Sequence, residues 1–545
     1  MWRIIADGRG MTTPGSFPFS RFALSHSQRH SLVWFSCLLL GWELIARIAF
    51  AQLYILSPPS AIVLRIAEDY SLYGRALGTT VSEALLGFLF GNLAAIALAM
   101  LVVISPPVER LAQAIALVVF CLPLVATGPI LRVIYGPGWG PQVTLAALSV
   151  YYTTFVPLVV GLRAVPPGWL DLVASYGRGR WTAMIVVRIR ASLPYLIASL
   201  KIAAPAAFLG AIVGEFTGAD RGIGVLSIQS MRTLDVDGTW ALATIASGVA
   251  IIGYVLVGWI GRILSIGDPP VLMVSPKAKA PEDFWKKTAI AIVTPMLSIA
   301  AILVLLQISM DQLELPRFFA KRPGDVWEYL VVGAQSAAHR SELFAALSET
   351  MIVTVPGYFA GLALGAVLAA VFCLLPSVER IASPIAISLR SIPIVVTAPL
   401  LVLALGRGQL GMLVIVAVMI FFPTLVSCLH GLRQAPGQVI DYFDSFRAPP
   451  LTQLFLARVP AMLPSLFAAA RMAVPMAVLA ATVAEWLATG TGIGNLMALT
   501  NSTSNYNMLW SCVTVLTLVS VTGYAFVAML ERRVLSHFSP EQVMQ

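Results

Sequence analysis

The chain has 545 residues, of which 58% are hydrophobic and 11% charged, with a mean hydropathy of +0.87. Those proportions exclude a soluble enzyme of this size and imply a helical protein that crosses a membrane many times. The formal net charge of +9 is accounted for by basic flanks on one side of the membrane, so no nucleic-acid partner is required.

Residues 1–30 are polar and basic, carrying Arg3, Arg9, Arg21 and Arg29, and show no cleavable apolar core. Met1 and Met11 both stand as starts of translation. A span needs about 20 mostly apolar residues. The first half offers six such runs, at 32–50, 80–104, 111–135, 143–162, 193–216 and 240–264. A linker with Pro and Lys, 265–288, joins them to six more at 289–310, 350–375, 381–405, 412–429, 463–487 and 509–530. The expected domains are therefore 1–264, the cytoplasmic linker 265–288, and 289–545. Basic residues before the first span, after the fourth (Arg163, Arg178, Arg180, Arg188, Arg190) and in the linker (Lys277, Lys279, Lys286, Lys287) put both termini in the cytoplasm. The five cysteines, Cys37, Cys121, Cys373, Cys428 and Cys512, have no paired spacing and read as small apolar residues.

From Thr80 to Tyr254 the chain repeats itself at Thr350 to Tyr524 without a gap, each matched pair standing 270 residues apart. Glu109-Arg110 recurs as Glu379-Arg380, Pro123 as Pro393, and Gly222-Ile223-Gly224 as Gly492-Ile493-Gly494. Two membrane units running in the same direction pack about an axis along the membrane normal, and a shared pathway between them points to transport.

After the fourth span of each half a polar stretch of similar length interrupts the apolar pattern. Each opens with proline and glycine (Pro166-Pro167-Gly168, Pro436-Gly437) and presents aromatic residues. Such a short amphipathic helix suits a groove on a partner, although a helix lying on the membrane surface has the same pattern. The stretches resemble the cytoplasmic loop of bacterial ABC-importer permeases, E-A-A, three residues, G, nine residues, I-x-L-P. Asp171 and Gly177 stand at motif positions with Ser175 in the spacer and Tyr176 beside it; Arg190 replaces the proline. In the second copy Asp441 matches, Ser445 repeats Ser175, Phe446 follows, and Arg447 replaces the glycine.

A finer resemblance, carried by Trp42-Glu43-Leu44, the turn 56–60, segments 123–129 and 393–400, and Glu215 to Gly224 with its copy at Glu485, is to the nitrate/sulfonate/taurine permease family. It implies an all-α membrane protein with about twelve transmembrane helices as two parallel six-helix repeats, like a type I importer permease. It also implies a cytoplasmic ATPase dimer, which binds ATP and Mg, and a periplasmic or lipid-anchored protein that delivers a small, anionic or heterocyclic solute. Members usually pair two identical six-span chains in the bacterial inner membrane; here the pair is fused. The eight loop residues above are then the ATPase-coupling residues.

Four residues are candidates for the pathway or its gate: Glu215 and Glu485 at the outer ends of the fifth spans, and Phe120 and Arg390 at repeat-equivalent positions of the third. The glutamates either line the outer gate or hold the adjacent loop through backbone N–H groups. Arg390 either faces the pathway, where it would attract an anion, or satisfies itself at a helix end or the headgroups. Glu43 and Arg47, one helical turn apart, are expected to pair. The chain has no G-x-x-x-x-G-K-[ST] phosphate loop, so nucleotide binding and catalysis fall to a partner, and its five histidines lack metal-ligand spacing. The competing reading is a secondary transporter with 6 + 6 parallel repeats, which leaves the two polar loops without a purpose.

Overall fold

The computed structural model describes residues 26–48, 56–264, 300–379, 401, 405–406 and 408–538. It is 87% helical and contains no strand among the described residues. The chain divides into two compact units at Ser60/Ala61. In the smaller, helix α1 (His26–Ile48) ends in a polar knot. Arg47 donates to Glu43 at 2.6 Å, and Ser60 donates to the same carboxylate through its backbone N–H (3.0 Å) and its hydroxyl (2.7 Å).

The larger unit holds the repeat. Its first half runs α2 (Pro59–Glu68), α3 (Tyr70–Ile104), α4 (Pro106–Cys121), α5 (Leu124–Tyr135), α6 (Gly140–Arg163), α7 (Pro167–Ser175), α8 (Arg180–Phe216), α9 (Ile223–Arg232) and α10 (Val236–Ile263). The second runs α11 (Ala300–Gln312), α12 (Pro323–Trp327), α13 (Ser336–Leu374), α14 (Gln409–Arg433), α15 (Gly437–Ser445), α16 (Pro450–Leu487), α17 (Gly492–Ser502) and α18 (Tyr506–Phe538). Among the described residues eight helices are long and apolar enough to cross a membrane, or nine if the bent pair α4–α5 counts as one span. The protein is thus a multi-pass, all-α membrane protein built of two repeats.

Small residues set the closest packing. Gly87 and Gly91 on α3 face Ala146, Ala147 and Val150 of α6, where any side chain would collide with backbone atoms. Gly357 and Gly361, their repeat partners, do the same on α13 against α14. With lipid as apolar as the protein, helices associate through such backbone approach and its dispersion contacts.

The third span departs from the single helix that 111–135 suggests. It breaks between Cys121 and Leu124 and bends by 100°. The cause is local: the Pro123 ring forces Leu122 out of the helical region, and Leu122 sits at ψ 133°. Residues 380–400, which carry Arg390 and the copy of this break, lie outside the described residues.

The halves meet along α4, α5 and α6 of the first and α16, α17 and α18 of the second. A shared core joins Ala126 and Ile130 of α5 to Val478, Ile493, Met497 and Leu516.

Candidate functional site

Three constructions combine chemistry with position. The first is the pair of surface helices α7 and α15. Proline opens each, and each closes on a residue in the left-handed region, Gly177 at φ +68° and Arg447 at +51°. The closing bonds coincide as well. Gly177 N–H donates to Ala174 O at 2.9 Å and Arg447 N–H to Asp444 O at 2.9 Å, while Arg178 reaches Val173 O and Ala448 reaches Phe443 O one residue on. Ser175 and Ser445 each donate to the carbonyl three residues back at 2.7 Å, so their hydroxyls close the helix. Left exposed are Trp169, Leu172, Tyr176 (76%) and Trp181 on one loop, and Tyr442, Phe446 (70%) and Leu451 on the other, with Asp171 and Asp441 beside them. Directly after each loop, α8 and α16 contain one π-helical turn, Met184–Arg188 and Leu454–Arg458, again 270 residues apart.

The second is the pair of buried glutamates. Thr80 Oγ1 donates to Glu215 at 2.6 Å and accepts from Ile223 N–H at 2.9 Å, and Gly224 N–H donates to Glu215 at 2.5 Å. The second half rebuilds this with Thr350, Glu485, Ile493 and Gly494 at 2.9, 2.9 and 2.8 Å. Each carboxylate and its threonine hydroxyl therefore accept from successive N–H groups at the start of α9 or α17, which have no partner inside the helix. Gly222 (φ +132°) and Gly492 (φ +80°) lie against the carboxylates, where a Cβ would collide. The halves then diverge. Glu83, on the same helix as Thr80, has Val353 as its counterpart, while Glu349 accepts from Gly492 N–H at 2.9 Å.

The third lies at the seam, beside the broken span. Phe120 stacks on Tyr152 with ring centroids 4.2 Å apart and 13° between planes. The Tyr152 hydroxyl meets that of Tyr524, from the other half, at 3.4 Å. Arg471 lies over the Tyr524 ring, 5.9 Å from its centroid, and pairs with Glu531 at 3.0 Å. Between them is a cavity of about 30 Å3 lined by Tyr152, Thr153, Ala468, Arg471, Met472 and Tyr524. That is room for water but for no solute. Phe120 is thus brought to the seam, and the cation there is Arg471, a residue that sequence reasoning missed. The signal was present: Lys201 and Arg471 are repeat partners, each a basic residue in the middle of an apolar span.

A family model for the binding-protein-dependent transport system inner membrane component matches residues 87–265 and again 361–536, together more than half of the chain. The chain belongs to this family, with two copies of its unit in tandem. It is similar to a probable ABC transporter permease of Haemophilus influenzae, 27% identical over 41% of this chain and 91% of that protein. It is also similar to a formylaminopyrimidine transport permease of Halalkalibacterium halodurans, 27% identical over 44% of this chain and 96% of that protein. A putative aliphatic sulfonates transport permease of Bacillus subtilis is 23% identical over 36% of this chain and 70% of its own length. Relatives matched over nearly their whole length thus cover less than half of this chain, as expected when each corresponds to one repeat.

Proposed function

We propose that this chain is the complete membrane passage of an ATP-driven importer, both permease units being carried on one polypeptide. A separate ATPase dimer binds ATP and Mg on the cytoplasmic side and hydrolyses it, and a periplasmic or lipid-anchored binding protein delivers the solute. Residues 1–264 and 289–545 are the two permease units, 265–288 is the linker, both termini face the cytoplasm, and the membrane is the bacterial inner membrane. The relatives, named for a formylaminopyrimidine and for aliphatic sulfonates, bracket the solute as a small heterocycle or a small anion.

The observation that carries this reading is the pair α7 and α15. Two surface helices at the same repeat position end in the same left-handed turn and expose an aromatic residue beside it, Tyr176 and Phe446. Exposed aromatic side chains on a rigid helix are the usual anchors of a groove-binding contact. The chain runs from each surface helix through a π-helical turn directly into α8 or α16, which gives that contact a lever on the fifth spans.

The test is the double variant Tyr176→Asp, Phe446→Asp, which would put charges into an apolar groove at a cost of several kcal/mol. The expected outcome is that the folded membrane protein no longer copurifies with its ATPase and that solute-stimulated ATP hydrolysis is lost. Crosslinks from positions 176 and 446 of the otherwise unaltered chain should reach the ATPase. ATP-dependent uptake that persists in the double variant, with no crosslink from either position, would overturn the docking role.

A further inference from the structure

The two surface loops, 166–183 and 436–453, share a backbone but not a surface. Residues three and seven apart on a helix lie along one stripe. On α7 that stripe is Trp169, Leu172 and Tyr176, with Trp181 after the turn; on α15 it is Val439, Tyr442 and Phe446, followed by Leu451, and all eight are exposed. In the second loop the rings serve one another, Tyr442 meeting Phe446 edge-on at 5.0 Å and Phe443 at 5.9 Å. In the first, none of the three rings packs on another aromatic ring among the described residues. Charge diverges in the same way. The exposed ionisable groups are Asp171, Arg178 and Arg180 on one loop and Asp441, Asp444 and Arg447 on the other. Neither the Arg178 nor the Arg180 guanidinium meets a carboxylate among the described residues, whereas Asp444 accepts from Gln453 Nε2 at 2.7 Å. The first loop is thus net basic, with rings and donors unspent, and the second is net acidic and partly satisfied within itself.

We propose that the two loops hold the ATPase unequally: 166–183 is the anchor, seated in a groove with an apolar floor and an acidic rim, and 436–453 docks more weakly in a like groove on the second ATPase subunit. The inference rests on the importer reading and deepens it. Likeness of the grooves follows from what the loops keep in common. Both have the same closing turn, an aspartate at 171 or 441 and an aromatic ring at 176 or 446, so the centre of each contact is the same. Around that centre two identical grooves cannot complement a basic loop and an acidic one together, because like charges brought face to face are costly. Composition decides which loop is favoured. Trp, Tyr and Arg carry most of the energy of protein contacts, and Trp169, Tyr176, Arg178, Arg180 and Trp181 concentrate them on the first loop. At the matching rim positions the second loop offers Val439, Ala448, Pro450 and Leu451, which fill less space and bring no charge. Weak docking is sufficient there: once the first loop holds the ATPase, engagement of the second is intramolecular.

The shared backbone makes the loops exchangeable, and the test exchanges them in the full chain. One variant carries the sequence of 167–183 in both halves and the other that of 437–453 in both. Each is placed in nanodiscs beside the natural chain and titrated with the purified ATPase of the importer. The chain with two first loops should bind at least about tenfold tighter than the chain with two second loops, the natural chain lying between. The gap should narrow as salt is raised, since exposed charges are screened. Two point variants leave both backbones as they are: Arg178→Ala should weaken binding at low salt by about three- to tenfold, and Ala448→Arg, at the matching position, should strengthen it by a similar factor. Equal affinities, or the reverse order, would overturn the unequal roles. Both exchanged chains binding more weakly than the natural one would mean two unlike grooves, each matched to its own loop, and would overturn them as well. In each of these outcomes the ATPase still binds and the importer reading stands. If the natural chain itself fails to bind the ATPase, the importer reading falls and takes this inference with it.

Discussion

Arg447 adopts φ +51° where its repeat partner Gly177 adopts +68°. For a residue with a Cβ that conformation costs roughly 1–2 kcal/mol, so the loop keeps its geometry against local preference. Arg447→Gly should relieve this strain, less the extra freedom glycine has in the opened chain. The expected result is slower amide exchange at Ala448, whose N–H bonds Phe443 O, by roughly two- to fivefold. Gly177→Arg should speed exchange at Arg178 by a similar factor. Thr350 permits a second test. Its hydroxyl donates to Glu485 and accepts from Ile493 N–H, so Thr350→Val leaves that buried amide without a partner. A loss of about 1–3 kcal/mol is expected, read as a lower unfolding midpoint in detergent, with Thr80→Val matching it in the first half.

The π-helical turns at Met184–Arg188 and Leu454–Arg458 sit between each surface helix and the fifth span it feeds. One extra residue per turn is held there in both halves, and such bulges are frequent at functional sites. Deleting Ile185 and Phe455 should convert both turns to α-helix, leaving the flanking helix faces nearly aligned but removing the widened turn between each surface loop and its span. ATP hydrolysis should then no longer produce uptake, although the membrane core stays folded; measuring both in proteoliposomes checks this, and preserved coupling would mean the bulges are passive. These turns were invisible in the sequence, since a single added residue leaves an apolar run looking helical. The broken third span was missed for the same reason over 111–135, although Pro123 marked its place. The repeat, the long spans and the two surface helices were legible because composition and a constant 270-residue offset encode them directly. Phe120 was named from the sequence as a pathway or gate candidate, and its cationic neighbour was sought at Arg390, outside the described residues. Repeat register cannot show which residues approach across the seam, and that approach singles out Arg471.

Fusion of two permease units lets each half specialise, and the seam shows how. The first half contributes Phe120, Tyr152 and the broken span; the second contributes Arg471, Glu531 and Tyr524. Because Arg471 and Glu531 lie in the same half, neither half exposes that charge unpaired when the two separate. The shared core of α5 with α16, α17 and α18 supplies apolar adhesion between them. The linker, on this argument, raises effective concentration and enforces one-to-one pairing without forming part of the passage. Severing the chain within 265–288 and coexpressing the halves should therefore give copurifying fragments that retain most of the uptake of the intact chain. Two copies of the second half should fail, since Phe422 would stand where Tyr152 supplies its hydroxyl. Two copies of the first should fail as well, with Lys201 and Gly261 in place of Arg471 and Glu531. Uptake by either half alone would show that the asymmetry of the seam is not used. Severed halves that both insert but do not associate would show that seam packing cannot hold them without the tether.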